Sequence, residues 1–151
     1  MLIFFATKLN YSHTSLSTSL LYYYWRWEKW DKNINALKDV SGPCENGTTC
    51  IFEQKDGTNF AFTLSNVEQY KSITFKGKAL GNTIKAEGNI VITPVDNFST
   101  RIEYSFELSG GVGFVIAILR KKEVVNGTEA GLQNMVRLCN EAQQSDMFTM
   151  N

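Results

Sequence analysis

Few side chains in this sequence are equipped for acid–base or nucleophilic work. It has one histidine, His13, three cysteines, and fifteen acidic residues balanced by fifteen basic ones. General acid–base catalysis needs a titratable group held inside a pocket, with a pKa tuned to its task. His13 sits in the polar stretch Ser12-His13-Thr14-Ser15, which reads as a solvated turn, and one such His cannot complete a Ser-His-Asp relay. Cys44, Cys50 and Cys139 have no zinc-like spacing and cannot all pair with each other, so they read as thiols in a reducing compartment. Glu53, Glu87, Arg101, Glu103 and Glu107 alternate with apolar neighbours, which places them on the wet face of a sheet. Gly110-Gly111-Val112-Gly113 lacks the βαβ context of a dinucleotide loop and reads as a helix entry. Arg120-Lys121-Lys122 reads as a solvated helix face. Tyr104 is the one titratable group expected inside. With a reference pKa of about 10 it is suited to anchoring a ligand oxygen rather than to acting as a base. The residues therefore indicate no catalytic group, no metal site and no cofactor.

The elements that would position these groups are legible from periodicity. Leu2 to Tyr11 reads as a first strand. Leu20, Tyr23, Tyr24, Trp27 and Trp30 fall at helical spacings, and the charges around Arg26 and Glu28 split that stretch into two short helices. A meander follows. Strands are expected at Ile34 to Ser41, Thr48 to Gln54, Asn59 to Val67, Ser72 to Lys78, Thr83 to Thr93 and Ser99 to Leu108. Lys55-Asp56-Gly57-Thr58, Leu80-Gly81-Asn82 and Pro94-Val95-Asp96-Asn97 supply turns. One apolar and one wet face, strand after strand, indicates an antiparallel sheet covered on one side. From Phe114 to about Gln144 a helical period returns. Val115, Ile118, Val125, Leu132, Val136 and Cys139 form its apolar stripe, expected to face the strands of Phe62, Ile84 and Tyr104. A kink or break is expected at Asn126-Gly127.

That order resembles the helix-grip fold shared by START lipid-transfer domains, the birch-pollen allergen family and the bacterial polyketide cyclase/dehydrase-like (SRPBCC) branch. Trp27-Glu28-Lys29-Trp30-Asp31 looks like the Trp-x-x-Trp segment of the bacterial branch, Thr100-Arg101-Ile102-Glu103-Tyr104 like its last strand, and Gly131-Leu132-Gln133-Asn134-Met135 like part of its final helix. The segment from Ser12 to Tyr24 lacks the branch's small-Pro-acidic opening. The resemblance implies an α+β domain, with a curved antiparallel sheet of about seven strands wrapped around a long C-terminal helix and two short helices after strand one. It also implies a cavity for a lipid, polyketide or other aromatic between sheet and helix. Phe60, Phe62, Phe75, Ile84, Tyr104 and Phe106 would line it, Gly88 would leave room opposite them, and Met135 would border it from the helix. On the residues alone, the same aromatics would simply fill a core. The reading adopted is a carrier or sensor of a small hydrophobic ligand. The alternatives are a cyclase/dehydratase-type enzyme, or a co-chaperone-like interaction module acting through an exposed apolar surface.

Composition sets the outer bounds. A formal net charge of zero provides no basic excess for a phosphate backbone, which argues against nucleic-acid binding. The length of 151 residues fits a single domain, read as residues 1–144 with a frayed tail over 145–151. Leu2 to Ala6 and Val112 to Leu119 are far shorter than the ~20 apolar residues that span a bilayer. The opening Met-Leu-Ile-Phe-Phe-Ala-Thr-Lys has no basic n-region, so a strand is expected there rather than a signal peptide. The expectation is a cytoplasmic protein whose partner is a small apolar ligand, with no transmembrane segment, and with a homodimer left open.

Overall fold

The computed structural model describes residues 3–12, 26–69, 71–96 and 99–149. His13 and the first of the two expected short helices lie outside these residues.

Seven strands form one antiparallel sheet: β1 (Ile3–Ser12), β2 (Ile34–Lys38), β3 (Thr49–Gln54), β4 (Asn59–Glu68), β5 (Ser72–Ala79), β6 (Ile84–Asp96) and β7 (Ser99–Ser109). Their order is β1-β7-β6-β5-β4-β3-β2. Consecutive strands from β2 to β7 are neighbours, and β1 closes back against β7, Ile3 opposite Leu108 and Ser12 opposite Ser99. Side-chain alternation produces this arrangement. Phe60, Phe62 and Leu64 of β4 are buried while Asn59, Ala61 and Thr63 are exposed. In β6, Ile84, Ala86, Gly88, Ile90 and Ile92 are buried against exposed Lys85 and Glu87. The sheet therefore has one face to cover. Its outer face is polar, with Lys76 pairing with Glu87 at 3.1 Å across β5 and β6. β6 continues past Pro94 to Asp96, where the expected turn would have ended it. An irregularity in the pairing between Pro94 and Asp96 accommodates a residue that cannot donate to the ladder.

Three helices are described. α1 (Trp27–Trp30) is a single turn, α2 spans Gly111–Leu119 and α3 spans Lys121–Thr149. The expected single helix from Phe114 is thus two, separated at Arg120. α3 also continues to Thr149, through residues read as a frayed tail. Asn126-Gly127 lies inside α3 and breaks nothing. A Cβ on Gly127 would meet only the end of the exposed Asn33 side chain, at 2.9 Å from its Nδ2.

The core lies between the sheet's apolar face and α3. Leu132, Met135 and Cys139 are fully buried at spacings of three and four, the stripe that a helix presents to one neighbour. Val125 and Val136 are packed at its edge. Val115 and Ile118, expected on the same stripe, are each 51% exposed. The reason is the break at Arg120, because a continuous period carries no phase information across a change of helix. Gly113 instead faces Ile84, where a Cβ would touch the Ile84 Cγ2 at 3.4 Å, and Val115 and Ile118 turn outward.

The contrast between the two helices is testable. Leu132→Ala is expected to destabilise the fold by about 2–5 kcal/mol, as for other buried leucines, whereas Val115→Ser stays within about 0.5 kcal/mol. Urea denaturation of both variants measures the difference, and equal losses would place α2 in the core.

Candidate functional site

A cavity of about 530 Å³ lies between the concave face of the sheet and the helices. Its inner wall is aromatic because β3, β4, β5 and β7 each point a ring at the same space. Phe52 and Phe62 have centroids 4.5 Å apart, Phe62 meets Phe75 edge-on at 5.3 Å, and Phe75 lies 6.1 Å from Tyr104. α1 closes this wall. Trp27 packs against Phe52 at 5.0 Å and edge-on against Phe75 at 5.1 Å, while Trp30 meets Tyr104 at 6.3 Å. Exposed Lys55, Asp56, Leu80, Arg120 and Glu123 also line the space and form its rim.

Of the residues expected at the site, Phe60, Phe62, Phe75, Ile84, Tyr104 and Phe106 all line this cavity. Gly88 and Met135 do not. A Cβ on Gly88 would fall 2.0 Å from the Phe75 ring, so the glycine makes room for that ring rather than for a ligand. Met135 is fully buried in the core on the inner side of α3 and is not among the residues lining the cavity.

The polar groups in the cavity differ from the sequence expectation. Tyr104 is inside, as expected. Its hydroxyl is pushed well above the usual phenol range, by burial first and then by the Asp31 carboxylate. The Trp27 indole N–H is buried and makes no hydrogen bond of good geometry; the Tyr104 hydroxyl is the polar group it approaches. Asp31 lines the same cavity, which corrects the expectation that no acidic group reaches it. Burial raises its carboxyl above the ordinary value of 3.8, against the opposing pull of hydrogen bonds from Asn33 and the charge of Lys55. The Asn33 backbone N–H donates to Asp31 Oδ1 at 2.9 Å, and the Asp31 N–H donates to the Trp27 carbonyl at 2.8 Å. The carboxylate is thus fixed at the end of α1 by two backbone contacts. Periodicity could not locate it, because the strand alternation that sorted the other acids does not extend to a single helical turn. Asp31 followed Trp27 and Trp30 in the sequence as part of a motif, without a direction.

The other candidates stand where alternation put them. Glu53 is held on the outer surface by Asn35 and Lys38, whose hydrogen bonds lower its pKa. Cys44, Cys50 and Cys139 are all free. Burial pushes them to about 11, 11 and 12, which leaves them as unreactive thiols near neutrality. Among the described residues, no group of three or more His, Cys, Asp or Glu could hold a metal, and no helix is long and apolar enough to cross a membrane.

Several solved structures share this architecture. A hypothetical protein from Helicobacter pylori superposes with a TM-score of 0.78 at 16% identity, over 89% of this chain and 86% of that one. Norcoclaurine synthase from Thalictrum flavum, in complex with dopamine and hydroxybenzaldehyde, gives 0.68 at 14% identity over 93% and 88%. The di-domain ARO/CYC StfQ from the steffimycin biosynthetic pathway gives 0.70 at 12% identity, over 95% of this chain and 52% of that one. The fold is the helix-grip fold. No family model matches the sequence, and no curated protein does.

The raised pKa of Asp31 has a stability consequence of definite sign. The folded chain keeps this proton to a higher pH than the unfolded chain. Stability is therefore lost as pH rises from the ordinary carboxylate value through the raised one, and the loss is complete above it. Asp31→Asn, which preserves the acceptor for the Asn33 N–H, is expected to be more stable than the parent at pH 7 and equal to it near the ordinary value of 3.8. Urea midpoints at the two pH values measure this. A gain independent of pH would show that Asp31 ionises normally.

Proposed function

We propose that this protein is a carrier or sensor for a small apolar or aromatic molecule that bears a hydrogen-bonding oxygen, held in the cavity between sheet and helices. The observation that carries this reading is an aromatic-walled cavity into which Tyr104 brings its hydroxyl, with the buried Trp27 N–H set against it. A ligand oxygen at the Tyr104 hydroxyl would gain one hydrogen bond while the rings supply area. The cavity volume falls within the ~300–1,000 Å³ typical of small-molecule sites. Norcoclaurine synthase, a structural neighbour, was captured with two aromatic molecules, which supports an aromatic ligand class here.

One observation favours a second reading, a cyclase/dehydratase-type enzyme. Asp31 stands in the cavity with a raised pKa, the condition under which a carboxyl serves as a general acid or base near neutrality. In that reading Asp31 would move the proton, and Tyr104 with Trp27 would hold the oxygen on which charge develops.

Native mass spectrometry of freshly purified protein is expected to show an apolar compound travelling with the chain. In titrations with paired aromatic probes, Tyr104→Phe is expected to weaken binding of the hydroxylated or carbonyl member about five- to tenfold, the value of one hydrogen bond, and to leave its hydrocarbon counterpart unchanged. Equal weakening of both would remove Tyr104 as an anchor. Turnover of a polyketide-like substrate by the parent, lost in Asp31→Asn while binding persists, would decide for the enzyme.

A further inference from the structure

The geometry points to the α2 end of the cavity rim as a docking surface for an anionic lipid bilayer. α2 carries no charged residue along Gly111–Leu119. Val112, Val115, Ile118 and Leu119 are exposed, Leu119 to 78%. At ~100° per residue these four cover roughly a third of the helix circumference. Gly113 lies on the opposite side, against Ile84, so the stripe points directly away from the domain. Leu80, 60% exposed, adds a further apolar side chain at the cavity rim. It does so from a left-handed backbone conformation, φ 47°, that L-residues rarely adopt.

Exposed apolar stripes of this kind are uncommon on monomeric soluble proteins and mark contact sites. The adjoining charge selects the occupant. Arg120, Lys121 and Lys122 follow the stripe directly and are all exposed. Arg120 is paired with Glu123 at 3.9 Å, whereas Lys121 and Lys122 pair with no acidic group among the described residues. A short apolar helix binds a bilayer only marginally, and stable docking takes a second signal such as a basic cluster near anionic headgroups. Here both signals occupy one end of the fold, in a chain whose total net charge is zero. A purely apolar partner surface would explain the stripe but not the abutting cations. Docking in this orientation would bring the rim residues Leu80 and Arg120 to the headgroups, so that an apolar ligand could pass between bilayer and cavity without crossing water. That last step rests on the ligand-binding reading above; the docking does not.

The test is sedimentation with vesicles made of equal parts phosphatidylcholine and phosphatidylserine, and with vesicles of phosphatidylcholine alone. The parent is expected to bind the first, to release as salt rises, and to ignore the second. Val115→Ser/Leu119→Ser and Lys121→Glu/Lys122→Glu are each expected to weaken partitioning at least about tenfold. None of these four residues lines the cavity, so apolar-dye binding is retained in both variants. Loss of dye binding in the parent would count against the ligand reading and leave the docking result standing. The docking proposal is overturned if the parent fails to bind the phosphatidylserine vesicles, or if binding survives either double variant. It is also overturned if the parent self-associates through this stripe, with Val115→Ser/Leu119→Ser restoring the monomer and neither form binding lipid.

Discussion

The contact on which the rest of this structure depends is the seating of two tryptophans in one helical turn. Trp27 and Trp30 are each 1% exposed, with rings 6.0 Å apart. They face different neighbours. Trp27 completes the aromatic wall at Phe52 and Phe75, while Trp30 reaches Tyr104 and the fully buried side of α3. There Gly131 admits the ring, and the Asn134 side-chain amide donates to the Trp30 carbonyl at 2.9 Å. A four-residue helix has no stability of its own. Its position is set by the roughly 150–250 Å² that each large aromatic buries. The turn therefore joins sheet, helix and cavity, and fixes the Asp31 carboxylate at its end.

This seating also explains why the domain can keep a cavity without collapsing onto it. Packed interiors tolerate few voids larger than a water molecule, so a space of about 530 Å³ requires walls that cannot move inward. The rings brace one another through edge-on contacts, Phe62 on Phe75 and Phe75 on Trp27, and each is anchored to a different element, β4, β5 and α1. α3 is meanwhile held off by its own contacts with Trp30. Among the polar groups lining the cavity, Tyr104, Trp27 and Asp31 meet where α1 joins the aromatic wall.

Legibility in the sequence followed the strength of the local period. The sheet was legible because alternation along β4, β6 and β7 leaves one consistent face, and the strand ends fell within a few residues of their structural limits. The aromatic wall followed from the same alternation. α2 was not legible. Gly-Val-Gly-Phe-Val-Ile-Ala-Ile-Leu is apolar all round, so the pattern cannot say which side is buried, and the phase was borrowed wrongly from α3. Asp31 escaped for a related reason, since one turn has no periodicity to read. Gly88 shows a third kind of limit. A small residue opposite large ones signals space, but sequence does not reveal whether a neighbouring ring or a ligand fills it.

The pairing of rings with glycines gives the cavity an unusual kind of wall. Phe62 lies over Gly77 and Phe75 over Gly88, each close enough that even a methyl group beneath would collide. The depth of the space on this side is thus set by two removable side chains, with bare backbone behind them. Shortening either ring would open a recess reaching the strands themselves, where peptide dipoles rather than hydrocarbon form the floor. Size selectivity in such a scaffold can therefore shift by a single substitution that leaves every strand and its register in place. Two relatives with the same sheet could then accept molecules that differ by a whole ring.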